Sequence, residues 1–143
     1  MFKNPDDAAI RNLLEGTRRI AVVGLSPKPD RDSHQVARYL QLRGYEIVPV
    51  YPRGDEILGQ KVHRRVQDIP GAIDLVDVFR RSEDLPEVTA DVLAGRASAL
   101  WFQLGCVNED AALRAQEAGL TVVMDRCTKI EHARLLGSGW RRG

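Results

Sequence analysis

Arg19-Ile20-Ala21-Val22-Val23-Gly24-Leu25-Ser26-Pro27-Lys28-Pro29-Asp30-Arg31-Asp32-Ser33 decides how the rest of the chain is read. The run from Ile20 to Val23 is apolar and rich in β-branched residues, the composition of a strand buried on both faces. It stops at Gly24, passes through a polar loop and reaches a helix start at Asp32 or Ser33. In a parallel α/β sheet such a junction is an anion site. Backbone N–H groups of the turn and of the first helical turn converge there, and the helix dipole favours negative charge. Lys28 and Arg31 add two cations to the loop. A dinucleotide fingerprint would place three glycines in this segment. Here a single glycine is followed by Ser26 and two prolines, which predicts a phosphate-bearing ligand of a different shape.

Outward from this junction, strand and helix patterns alternate. Asn4-Pro5-Asp6 predicts a helix start with Asn4 as the capping side chain, and Ile10, Leu13 and Leu14 form its apolar face up to Gly16. A helix is expected from Ser33 to Arg43, with Gly44 ending it, and a strand from Glu46 to Val50. Lys61 to His63 reads as a short edge strand. Ile73 to Phe79 reads as a buried strand, and Ser82 to Ala94 as a helix with Pro86 in its first turn. Strands Ala99 to Phe102 and Thr121 to Met124 flank a helix opened by Asn108-Glu109-Asp110. Thr128-x-x-Glu131 has the spacing of a capping box for a last helix ending near Leu136, and Trp140 to Gly143 reads as a loose tail.

Crossovers long enough for helices predict a mostly parallel sheet with helices on both faces. With 143 residues the chain has room for one domain with a proper core. A net charge of +1 argues against a dedicated nucleic-acid binder, and no apolar run reaches the about 18 residues of a membrane span. The start carries no signal-peptide pattern, and two widely spaced cysteines suit a reducing compartment, so a cytoplasmic protein is expected.

Ligands on parallel sheets sit beyond the carboxyl ends of the strands. At the exit of the second strand, where a nicotinamide dinucleotide site would carry an acid for the ribose, this chain has Tyr51-Pro52-Arg53. An arginine there suits a ribose bearing an extra phosphate, at the 2′ position in NADP or the 3′ position in coenzyme A. Tyr51 and Pro52 offer a flat wall to an adenine. A plain turn with a solvated Arg53 is the competing reading. Phe79-Arg80-Arg81 and Gln103-Leu104-Gly105 end the next two strands. Arg80 is expected to face the ligand and Arg81 the solvent. Gln103 can bond a peptide-like arm, and Gly105 permits close approach to the backbone.

Taken in order, Val-Val-Gly-Leu-Ser (22–26), Tyr-Glu-Ile-Val-Pro-Val-Tyr-Pro (45–52), Ile-Asp-Leu-Val-Asp-Val-Phe-Arg (73–80), Trp-Phe-Gln-Leu-Gly (101–105) and Asp-Arg-Cys-x-x-x-Glu-His-x-Arg-Leu (125–135) resemble the small stand-alone CoA-binding proteins. These are similar to the N-terminal domain of the succinyl-CoA synthetase alpha chain. The resemblance runs from about Asp6 to Leu136 and implies a single Rossmann-like α/β domain. It further implies that Gly24, Leu25, Ser26 and Lys28, with the helix start at Ser33, cradle a diphosphate. Pro52 and Arg53 would lie beside the adenosine, and Phe79, Arg80 and Gln103 to Gly105 along the rest of the groove. No histidine here matches the phosphorylated histidine of the synthetases, which lies in a second domain.

Cys127 follows Arg126 and precedes a helix start, two features that favour a thiolate. It can act as a thiol nucleophile toward acyl-CoA or simply close the strand as a small residue. Cys106 has no adjacent cation, and a Cys106–Cys127 disulfide is open if their strands are neighbours. Asp125 is read as a structural group rather than a base. His34, His63 and His132 have no ligand-spaced partners, so no metal site is expected. The leading expectation is a protein that binds coenzyme A or acyl-CoA without turnover, acting as a carrier, a sensor or a partner of a larger acyl-transfer enzyme. An NADP-dependent oxidoreductase and a thiol enzyme using Cys127 are the alternatives.

Overall fold

Residues 1–143 are described by a computed structural model. Helix α1 (Asp7–Gly16) leads into β1 (Arg19–Val23), α2 (Asp32–Leu42) and β2 (Glu46–Val50). A short hairpin, β3 (Glu56–Ile57) and β4 (Gln60–Lys61), precedes β5 (Leu75–Val78). Then follow α3 (Leu85–Ala94), β6 (Ala99–Phe102), α4 (Glu109–Glu117), β7 (Thr121–Met124) and α5 (Thr128–Leu135). The main sheet has the order β2-β1-β5-β6-β7, and every adjacent pair is parallel. The expected Rossmann-like α/β architecture is therefore present.

Alternation along the strands sends side chains into two cores. Ala21, Val23, Val76, Val78, Leu100 and Phe102 meet α3 and α4 through Leu85, Val88, Val92, Ala111 and Ala115. Ile20, Val22, Ile47, Leu75 and Trp101 meet α1, α2 and α5 through Ile10, Leu14, Val36, Leu40 and Leu135. Both faces of the strands are covered, which is why they read as continuous apolar runs. The segment expected as a Lys61–His63 edge strand is divided. Lys61 belongs to the hairpin, while His63 bridges to Val50 at the sheet edge.

Three expectations are corrected by long-range contacts. Asp6, not Asn4, caps α1, accepting the Ala9 N–H at 2.9 Å. The Asn4 amide instead exchanges two hydrogen bonds with the backbone of Met124 and pins the N-terminus to β7. The tail is docked. Trp140 packs within 6.0 Å of the Tyr45 ring and 5.3 Å of the His132 ring, and the Arg142 N–H donates to the Arg43 carbonyl. His132 is buried, bonds to the Tyr39 hydroxyl through Nδ1, and is pushed toward its neutral form by that burial.

The third correction concerns Thr128, which is no cap. It is the first residue of α5, and its hydroxyl donates to Asp77 Oδ2 at 2.9 Å and accepts from Gln103 Nε2 at 2.8 Å. Gln103 Nε2 also donates to Asp77 Oδ1 at 2.5 Å. All three residues are almost fully buried. They tie the central strand β5, the exit of β6 and the start of α5 together. Burial raises the Asp77 carboxyl to about 7 against the two hydrogen bonds that favour its ionised form.

Two predictions follow from these contacts. Trp140→Ala should cost about 1–3 kcal/mol in urea unfolding, because a half-buried aromatic leaves its cluster; a change below about 0.5 kcal/mol would mean the tail is loose. Asp77 titrates higher in the folded chain than in the unfolded one, so its contribution to stability is complete below pH 4 and declines as pH rises to about 7. The decline is about 1.4 kcal/mol per pH unit at most. Unfolding of wild type and Asp77→Asn at pH 5 and pH 7 should show wild type losing stability relative to the variant. Parallel pH curves would contradict this.

Candidate ligand-binding site

The chain leaves β1 toward β2 on one side and later returns to β5 on the other. Strand order therefore reverses between β1 and β5, and a crevice opens above their carboxyl ends. At its base the two exits nearly touch. Gly24 has φ of +81°, and a Cβ there would stand 2.2 Å from the Phe79 carbonyl oxygen. Only glycine permits both the backbone angle and the approach. Gly24 N–H donates to the Val50 carbonyl, extending the ladder one residue past the strand.

The loop beyond Gly24 is braced from within. Ser33 Oγ accepts the Ser26 N–H at 3.0 Å, Ser26 Oγ accepts the Lys28 N–H at 3.1 Å, and His34 Nδ1 meets the Ser26 carbonyl at 2.9 Å. Ser33 thus acts as a strut, a role its sequence position did not reveal. The Leu25 side chain is wholly buried in the core, so only its backbone is available to a ligand. The N–H groups of Leu25, Asp32 and Ser33 have no acceptor within the chain. They lie at or before the first turn of α2, where free donors are expected.

A cavity of about 430 Å³ covers this turn, lined by Gly24, Ser26, Lys28, Arg31 and Ser33 on one side and by Tyr51, Arg53 and Phe79 on the other. Its cations differ in pairing from Arg65, Arg80 and Arg81 beside it. Arg65 pairs with Asp91 at 2.5 Å, and Arg80 and Arg81 both reach Asp84 at 3.2 Å, which holds the Asp84 carboxyl below its ordinary range. Lys28, Arg31 and Arg53 have no carboxylate partner within 4.0 Å. The Arg53 guanidinium lies 5.8 Å from the centre of the Tyr51 ring. Asp32, also on the cavity wall, is the one acid there.

Two further cavities share Phe79 with the first. One, also about 430 Å³, is lined by Gly24, Tyr51, Pro52 and Arg80, with Arg64 and Arg65. Arg64 holds the turn by donating to the Tyr51 and Gly54 carbonyls. The other, about 860 Å³, runs past Arg80, Gln103, Gly105 and Cys127 between α2 and α5. Every candidate residue except Leu25 therefore lines one of three cavities that have Phe79 in common. Gln35, Lys129 and Ile130 also line the large cavity, and no local motif marks them.

The individual roles differ in part from expectation. Gln103 turns its amide N–H₂ inward to Asp77 and Thr128, which leaves only its carbonyl oxygen free to bond a ligand arm. Asp125, with φ of +61°, accepts the Gly105 N–H at 2.8 Å and so shapes the adjoining loop. Arg126 does not serve Cys127. It donates to the Asp125 carbonyl and approaches Glu131 at 3.8 Å. Both cysteines are free thiols although β6 and β7 are neighbours. Cys106 Sγ donates to the Arg80 carbonyl at 3.0 Å, and burial pushes this thiol up.

Comparison with known proteins identifies the family. A protein-family profile described as "CoA binding domain" matches residues 18–133. The uncharacterized protein YneT of Bacillus subtilis (strain 168) is 50% identical over 132 residues, 92% of this chain and 98% of its own length. The structure of a hypothetical protein from Pyrococcus horikoshii OT3 superposes with a TM-score of 0.89 at 39% identity, covering 96% of this chain and 99% of that one. The alpha subunit of an ADP-forming acetate–CoA ligase II from Pyrococcus furiosus is 37% identical over 59 residues, which is 41% of this chain and 13% of that subunit. With most of its length matched by the profile, from the end of α1 to within α5, the chain belongs to the CoA-binding domain family.

Proposed function

We propose that this protein binds coenzyme A or an acyl-CoA across the three cavities around Phe79 and performs no turnover of its own. The observation that carries the reading is the set of unpaired cations, Lys28, Arg31 and Arg53, gathered around free N–H groups at the start of α2. Such a site suits a ligand with several phosphate charges. The diphosphate sits at the α2 turn, with the adenosine against Tyr51 and Pro52. The ribose 3′-phosphate pairs with Arg53, and the pantetheine arm runs past Phe79 into the large cavity. Family membership supports the same ligand.

The absence of turnover in this reading rests on the large cavity. Cys127 is partly exposed there, but its neighbouring cation is engaged elsewhere. Asp125 is committed to Gly105. The partial likeness to an acetate–CoA ligase subunit supports a role beside a larger acyl-transfer enzyme, with this chain holding the coenzyme.

Calorimetric titration at equal salt is expected to rank coenzyme A above NADP and NAD; tighter binding of either nicotinamide dinucleotide would favour an oxidoreductase. Arg53→Ala is expected to lose about 1.5–3 kcal/mol toward coenzyme A, the range for a charge-assisted hydrogen bond. The loss should vanish with dephospho-CoA. An equal loss for both ligands would move Arg53 from the 3′-phosphate to the diphosphate. Gly24→Val is unsuited to this test, because its side chain would strike the Phe79 backbone and disturb the fold.

A further inference from the structure

A buried carboxylate in the middle of a parallel sheet needs an explanation. Asp77 occupies the central strand β5, between Val22 of β1 and Trp101 of β6, with no exposed surface. No cation pairs with it. Its two oxygens accept from Gln103 Nε2 and from the Thr128 hydroxyl. Once the Thr128 proton is given to Asp77, the Thr128 oxygen offers Gln103 only a lone pair. Gln103 therefore faces two acceptors, and only the N–H₂ end of its amide can turn toward them. The carbonyl end is forced the other way. Gln103 Oε1 has no donor within the protein, yet it is not among the sealed polar atoms that lack a partner. It therefore keeps some surface open to solvent, and Gln103 is one of the residues that line the large cavity.

We propose that Asp77, acting with Thr128, is a positioning residue that locks Gln103 so that the floor of the large cavity presents a carbonyl oxygen as a fixed hydrogen-bond acceptor. Its partner is a donor group on the ligand arm, an amide N–H or a hydroxyl. This rests on the coenzyme reading above and deepens it. The pantetheine arm carries two amide N–H groups and a hydroxyl, and a cavity whose floor offers an acceptor selects for such an arm over an apolar chain. The same lock gives the buried acid a purpose that packing alone does not supply, since an apolar residue would avoid the desolvation cost. Replacing the carboxylate by a carboxamide removes one of the two obligatory acceptors. Gln103 is then free to flip and present N–H₂ to the arm.

The test compares coenzyme A with adenosine 3′,5′-bisphosphate, which retains the nucleotide and lacks the arm. Titrations are run at pH 8, above the value of about 7 to which burial raises the Asp77 carboxyl. Asp77→Asn is expected to weaken coenzyme A by roughly three- to ten-fold, the worth of one hydrogen bond, and Thr128→Val, which leaves the carboxylate facing the amide, by a smaller factor. Both should leave the bisphosphate within about two-fold, a difference under roughly 0.5 kcal/mol. Thr128→Ser, which keeps the hydroxyl, should restore coenzyme A binding, and circular dichroism should confirm that each variant is folded. Equal losses for both ligands would overturn the proposal and reduce the trio to a structural tie. Unchanged coenzyme A affinity in both variants would overturn it as well. Wild-type protein that binds neither ligand would instead overturn the coenzyme reading, and this inference with it.

Discussion

The contact on which the molecule depends is the approach of Gly24 to the backbone of Phe79. A Cβ at position 24 would stand 2.2 Å from the Phe79 carbonyl oxygen, so the exits of β1 and β5 can lie this close only with glycine there. Those two strands are the pair on either side of the point where strand order reverses. Their closeness sets the floor of the crevice, and the positive φ of Gly24 sends the following loop across its mouth. The Ser26–Ser33 and Ser26–Lys28 hydrogen bonds then hold that loop against the start of α2. A rigid loop and a fixed helix start are what an anion site requires, because the donors are already aimed before the ligand arrives.

Charge is distributed to match. Arginines to the side of the turn are neutralised in place, Arg65 by Asp91 and Arg80 and Arg81 by Asp84. Those at the turn itself are not. In a chain whose net charge is only +1, Lys28, Arg31 and Arg53 thus leave uncompensated positive charge around one small cavity whose single acid is Asp32. The polar interior is handled in the opposite way. Asp77 is buried without a cation, and its desolvation cost is offset only in part by hydrogen bonds from two partners, at the exit of β6 and the start of α5. The unpaired cations line the smaller cavity at the α2 turn, and Gln103 of the buried trio lines the large one.

Much of this was legible in the residues. The bounds of β2, β6 and β7 agree with the apolar runs Glu46–Val50, Ala99–Phe102 and Thr121–Met124, because each run is ended by a turn. The crevice was legible too, since topology alone says which strand exits meet. What could not be read were contacts between residues far apart in sequence. Asn4 looked like a local cap but bonds Met124, 120 residues away. Thr128 looked like a capping box but bonds Asp77, 51 residues away. Trp140 looked loose because nothing nearby in sequence announces Tyr45 and His132. A side chain that satisfies a local rule can be drawn off by a stronger partner that only the fold supplies. One such contact does leave a mark in the sequence: an aspartate inside Leu75-Val76-Asp77-Val78, where every neighbour is apolar, is a buried group that requires partners.

The central claim is that the cavities around Phe79 hold coenzyme A or an acyl-CoA. A native mass spectrum of the freshly purified protein, repeated after adding excess coenzyme A, tests it most directly. The account predicts one ligand per chain with the mass of coenzyme A or of an acyl derivative, released on denaturation because it is held without a covalent bond. A mass corresponding to a nicotinamide dinucleotide, or a chain that stays empty in excess coenzyme A, would contradict it.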